Sequence, residues 1–164
     1  MKGGIKPQKY RREEVIVAYN NALSTYRETR IKTASQGQLI IMLYNEAVRQ
    51  LDLALDLLSL NDSGKKDPGR IEKIGKAVVK TQEIVAELMV SLDFEQGGEI
   101  AKNLFALYTW FNRELMEANI SQDTKRIAVV REQIDTLRDT WQEIIATNAA
   151  EIANREVVGV SIAG

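Results

Sequence analysis

Apolar positions recur at helical spacing over four long stretches of the 164-residue chain, and runs of alternating β-branched residues are few. The first stretch, "LIIMLYNEAVRQLDLALDLLSL", covers Leu39 to Leu60. Ser35 reads as its N-cap, and Gln38 three residues on completes a capping box. "NDSGKKDPG" ends it with turn residues. The second opens at Asp67-Pro68, a cap residue followed by the residue favoured at the first helical position. Its spacing is carried by Ile71, Ile74, Val78, Val85, Leu88 and Leu92, and "LDFEQGG" interrupts it. The third is expected to follow Gly97 and Gly98, with a core stripe of Ile100, Leu104, Leu107, Phe111, Leu115 and Ala118. After "NISQD", with Ser121 or Asp123 as cap, the fourth shows Ile127, Val130, Ile134, Leu137, Trp141 and Ile144 in near-heptad order. Short links between long helices favour antiparallel neighbours. The expected class is therefore all-α: an antiparallel up-down four-helix bundle over residues 33–150. An additional N-terminal helical segment, "EEVIVAYNNALSTYRETR", lies within residues 1–32. Residues 151–164 show no helical period and read as a flexible C-terminal tail.

The helices carry more apolar residues than one buried face uses. At about 100° per residue, Ile40, Tyr44, Ala47, Leu51, Leu55 and Leu58 form the core face of the first helix. Asn45, Arg49, Asp52 and Asp56 mark its solvent face. Met42, Leu53, Leu57 and Leu60 belong to neither, and Glu46 interrupts them. On the third helix Phe105, Tyr108 and Met116, with Asn112 between them, sit about a third of a turn from the core stripe. On the second, Val79, Ala86 and Val90 lie nearly opposite the core. One reading is that compact bundles bury wide faces and that the N-terminal segment covers the remainder. The other is a groove for a partner's helix or extended chain, with Met and aromatic residues as adaptable contacts. Asn112 and Gln82 would then be candidate partners for a client's backbone.

Charge and composition narrow the chemistry. Twenty-two basic against 23 acidic residues give a net charge of −1, so no overall field draws the chain to nucleic acid or an anionic membrane. Without cysteine there is no disulfide, thiolate nucleophile or thiolate metal site. Without histidine there is no phosphohistidine and no Glu-x-x-His di-iron pair. Glu83 and Glu87 share a helix face, but the second acidic pair of a magnesium nucleotide hydrolase is not evident, so they read as a solvated face. No enzyme and no cofactor is expected. "MKGGIKPQKYRREEV" lacks the apolar core of a signal peptide, and Glu46, Arg49, Asp52 and Asp56 exclude a membrane span in the first helix. A cytoplasmic location without membrane insertion is expected.

Two separated blocks, "TASQGQLIIMLYNEAVRQL" and "GGEIAKNLFALYTWFNRELMEAN", resemble the flagellar export chaperone family FliS. The likeness covers roughly residues 16–145 and includes "ALSTYRETRIKTAS" as lead-in. The chain departs from the family pattern at Gln36, where proline is common, at Asn45, where Asp is usual, and at Thr109-Trp110, where Asp-Tyr is frequent. The resemblance implies a cytosolic chaperone that binds the disordered C-terminal segment of flagellin. Such binding prevents early polymerisation and presents the client to the flagellar type III export gate; other flagellar regulators are further partners. It also implies that the N-terminal segment lies over the groove of the free chaperone, where Ile16, Tyr19 and Tyr26 are the candidate occupants. The candidate partner-binding set is completed by Met42, Leu53, Leu57, Leu60, Phe105, Tyr108, Asn112 and Met116. Two alternatives stand beside these readings: a fifth packed helix at the N-terminus, and a homo-oligomeric bundle or adaptor without a flagellin client. The sequence does not fix the oligomeric state.

Overall fold

The computed structural model describes residues 36–61 and 63–162. It contains four helices and, among the described residues, no strand. They are α1 (Gln36–Asn61), α2 (Pro68–Val90), α3 (Phe94–Ser121) and α4 (Thr124–Ile162). Ser35, Ile16, Tyr19 and Tyr26 lie outside the described residues, and with them the expected cap of α1 and the N-terminal helical segment. The residues from Gly37 onward belong to one compact unit.

The starts of α2, α3 and α4 are each set by a carboxylate. The Asp67 side chain accepts from the Gly69 amide ahead of Pro68 in the first turn of α2. Asp93 accepts from the amides of Glu95 and Gln96, both at 3.0 Å. Asp123, not Ser121, caps α4 by accepting from the Lys125 and Arg126 amides. These bonds occupy donors that a helix leaves unpaired at its start. Between α3 and α4 the chain reverses at Gln122, whose backbone is left-handed (φ 54°) and whose amide bonds the Ala118 carbonyl. Between α2 and α3 it needs only Ser91, Leu92 and Asp93.

Cross-helix contacts give the order of packing. Asn45 accepts from Arg138, and Asp52 pairs with Arg131 at 2.8 Å, so α1 and α4 run antiparallel. Gln82 donates to the Asn112 main-chain carbonyl at 3.1 Å, and Gly75 faces Asn119, so α2 and α3 run antiparallel as well. Arg126 reaches Glu114 from α4 to α3, and Arg70 donates to Asn61 from α2 to α1. The ring α1–α2–α3–α4 is thus closed, with α3 diagonally across from α1. This is the expected up-down bundle.

The core holds Leu43, Tyr44, Ala47, Leu51 and Leu58 from α1 and Ile74, Val78, Val85 and Leu88 from α2. To these α3 adds Tyr108, Phe111, Leu115 and Ala118, and α4 adds Ile127, Val130 and Ile134. Several stripe positions shift from the expected ones. Ile100 is 71% exposed, and Ala101 one residue on is buried instead. Gly98, with φ of 49° and ψ of −124°, breaks the helix ahead of this point, and in the regular helix that follows the inward stripe is 101-104-108-111-115-118. On α4 the stripe steps four residues from Trp141 to Ile145, leaving Ile144 exposed; Ile145 sits where a side chain on Gly37 would collide with it. Ile71 is exposed in the first turn of α2. The expected non-helical tail is helical: α4 runs on to Ile162, although every side chain from 146 to 161 is exposed.

The largest polar commitment in the core is aromatic. Tyr44 and Tyr108, 0% and 2% exposed, share a short hydrogen bond between their hydroxyls across the bundle diagonal. Trp141 of α4 packs against the same core. Burial pushes both phenols above their ordinary pKa, keeping them neutral.

Two predictions arise from this packing. Tyr44→Phe leaves the buried Tyr108 hydroxyl short of a partner, and Tyr108→Phe does the same to Tyr44, so each should cost about 1–3 kcal/mol in denaturant unfolding. The double substitution should cost less than the sum of the singles. Strict additivity would show that the hydroxyls are not coupled. Gly98→Ala forces a side chain into a backbone region open only to glycine, and should cost about 1–3 kcal/mol. An unchanged unfolding midpoint would contradict a fixed kink at this position.

Candidate functional site

Among the described residues up to Ile145, the α2–α3 pair carries most of the exposed large apolar side chains. The contacts of Gln82 with Asn112 and of Gly75 with Asn119 fix the register. In that register Val79 lies level with Leu115–Met116, and Val90 level with Leu104–Phe105. Val79, Val90, Phe105 and Met116 are all exposed, Phe105 at 44%. Phe94 joins the Val90 end by an edge-on contact with Phe105, ring centroids 6.0 Å apart. The result is a furrow with apolar residues at both ends and a middle formed by half-buried Ala86, Gln82 and Asn112. The two ends are about 16 Å apart, from the 1.5 Å rise over the span Val79 to Val90.

At the Val79 end the furrow opens into a recess of about 580 Å³ lined by Glu72, Gly75, Lys76, Val79, Lys80, Glu83 and Asn119. Its charges are matched: Lys76 meets Glu72 at 2.7 Å, and Lys80 meets Glu83 at 3.6 Å. Such exposed pairs add little stability but leave the wall with no net sign. Farther along α2, burial and then the Glu83 carboxylate raise the Glu87 pKa, against the pull of Lys80.

The expected site residues separate into distinct places. Phe105 and Met116 line the furrow. Tyr108 does not: it is a core residue, on the inward stripe with Ala101, Phe111 and Leu115. Asn112 forms part of the furrow's floor, with its carbonyl already taken by Gln82 and its side-chain oxygen buried without a partner. The expected use of Gln82 toward a client is therefore replaced by an internal bond. Met42, Leu53 and Leu60 are exposed on the outer side of α1, interrupted by the Glu46–Arg49 pair at 2.7 Å. Leu57 is half-buried and packs against the core. Since α1 lies diagonally across from α3, its stripe and the Phe105 shoulder do not form one groove. Phe94 and Gly75 are the residues that pattern reading passed over. Phe94 was hidden in an apparent break, although Asp93 with Gln96 has the spacing of a capping box and signals a helix start.

Departures from the family pattern have local accounts. Asn45 keeps a cross-helix bond by accepting from Arg138, and the Thr109 hydroxyl bonds back to the Phe105 carbonyl. Among the described residues no cluster of acidic side chains forms a metal site, and no helix is long and apolar enough to cross a membrane.

The chain is similar to known proteins over the whole bundle. The family described as "Flagellar protein FliS" matches residues 19–148. The flagellar secretion chaperone FliS of Bacillus subtilis is 29% identical over 129 residues, covering 79% of this chain and 90% of the relative. That of Salmonella typhimurium is 34% identical over 118 residues, covering 71% and 82%. A crystal structure of a flagellar chaperone from bacteria superposes with a TM-score of 0.60 at 17% identity, over 77% of this chain and 97% of the other. That likeness concerns the fold alone. With a family match that takes in all of α1, α2 and α3 and most of α4, the chain belongs to the FliS family of flagellar secretion chaperones, a family of chaperones and not of enzymes.

Proposed function

We propose that this flagellar export chaperone binds the C-terminal segment of flagellin in the α2–α3 furrow, in the cytoplasm. It thereby keeps the client from polymerising and supports its delivery to the flagellar type III export apparatus. The observation that carries this reading is the furrow itself: two exposed apolar ends on one helix pair of a protein whose family serves flagellar secretion.

The geometry suits an amphipathic client helix. Eleven residues of helix span about 16 Å and return close to the same face, so side chains at i and i+11 reach the Val79–Met116 and Val90–Phe105–Phe94 ends together. Small client residues between these two anchors fit over Ala86 and Thr109. A segment that is disordered when free pays an ordering cost on binding, and several aromatic and aliphatic contacts are needed to offset it. The balanced charges of the recess make this contact largely independent of salt. Residues 10–32, with Ile16, Tyr19 and Tyr26, are proposed to shield the furrow in the free chaperone and to yield to the client.

Phe105→Glu places a charge between Phe94 and Val90 without touching the core. It should weaken binding of a flagellin C-terminal peptide at least tenfold in calorimetric titration, with the melting temperature within a few degrees of wild type. Leu53→Glu, on the outer side of α1, should leave both unchanged. Wild-type affinity in Phe105→Glu together with lost binding in Leu53→Glu would move the client to α1 and overturn the assignment. Unfolding of Phe105→Glu would mean that the shoulder is core.

A further inference from the structure

We infer that the C-terminal end of this chain, Val157–Ile162, docks on the Val90 end of its own α2–α3 furrow and acts there as an internal competitor. The family match stops at residue 148, and the last residue of α4 packed on the bundle is Ile145. Beyond that point α4 continues as a helix to Ile162 with every described side chain exposed, Val160 at 76%. The end of that extension reads Val-Val-Gly-Val-Ser-Ile. Three β-branched valines and a glycine each cost roughly 0.5–1 kcal/mol of helix stability relative to alanine, and no tertiary contact offsets them. These last turns therefore open at low cost, and an opened segment with no charge and four large aliphatic side chains is poorly accommodated by water.

The topology places an apolar surface within reach. Because α4 runs antiparallel to α1 and α3, it leaves the bundle at the end where α2 stops and α3 begins. Val90, Phe94 and Phe105 are exposed there. Residues 146–156, exposed like the segment beyond them, have no tertiary contact to hold their helix; opened with it they form a tether that spans up to about 36 Å, at about 3.3 Å each. Axes of packed helices are only about 10 Å apart, so the segment reaches α2 without strain. In an extended conformation Val158, Val160 and Ile162 fall on one face, opposite Gly159 and Ser161. That single apolar face matches a narrow furrow end. A tethered peptide sees an effective concentration on the order of millimolar, so even weak intrinsic affinity gives substantial occupancy.

The competition rests on the furrow's being the client site; the docking does not. The chain has no cysteine, so an engineered pair reports without background. In full-length Val90→Cys/Val160→Cys, mild oxidation should give an intramolecular disulfide, seen by mass spectrometry of the monomer. Val79→Cys/Val160→Cys should give much less. Disulfide-linked dimers would assign the segment to a second copy, and no cross-link would remove the docking; either overturns the inference. In the second arm, full-length Val158→Asp/Val160→Asp should bind the flagellin C-terminal peptide roughly three- to tenfold more tightly, with an unchanged melting temperature. Equal affinity would overturn the competition. If neither protein binds the peptide, the client assignment fails, and the cross-link alone decides the docking.

Discussion

One hydroxyl pair in the middle of an apolar core constrains most of this bundle. Tyr44 and Tyr108 meet across its diagonal. An unpaired buried hydroxyl is costly, so α1 and α3 must hold the rotations that bring these groups together. Aliphatic packing alone tolerates small helix rotations; a shared hydrogen bond does not. With α3 fixed in rotation, Phe105 and Met116 are turned outward beside α2, and the furrow takes its shape from a bond buried beneath it.

A chaperone must expose apolar surface without aggregating. Here that surface is divided. The α1 stripe is interrupted by Glu46 and Arg49, and the furrow is flanked by the Lys76–Glu72 and Lys80–Glu83 pairs. Dividing the apolar surface into separate patches with charges between them limits indiscriminate association. The same charges have no net sign, so recognition falls to shape and apolar contact.

Much of this was legible in the sequence, and the misreadings have physical causes. Helix number, order and antiparallel pairing followed from periodicity, Asp67-Pro68 and the Gly-rich break. The rotation of α3 did not, because Ile100 and Ala101 are adjacent candidates for one stripe and apolarity favours the larger, whereas it is Ala101 that is buried. Tyr108 was consequently placed on a shoulder instead of in the core. The same kind of slip separates Ile144 from Ile145: one residue on a long helix changes the face, and only the close approach to Gly37 decides it. Residues after 150 were read by intrinsic preference, yet a helix already nucleated through α4 extends across them. Of the furrow, the apolar shoulders were visible residue by residue. What pattern could not show was that α1 lies diagonally across from α3, so that two similar stripes serve different surfaces.

Both walls of the furrow come from consecutive helices joined by three residues. The bond that sets their register, Gln82 to Asn112, closes a loop of 30 residues, whereas the Asp52–Arg131 pair that ties α1 to α4 spans 79. Local contacts form sooner than distant ones because less loop entropy is lost in closing them. On a ribosome, where the chain is made from its N-terminus, the α2–α3 hairpin is complete before α4 has been synthesised. The furrow is thus a low-contact-order element, assembled early in the life of the chain, while the bundle's closure is the late event.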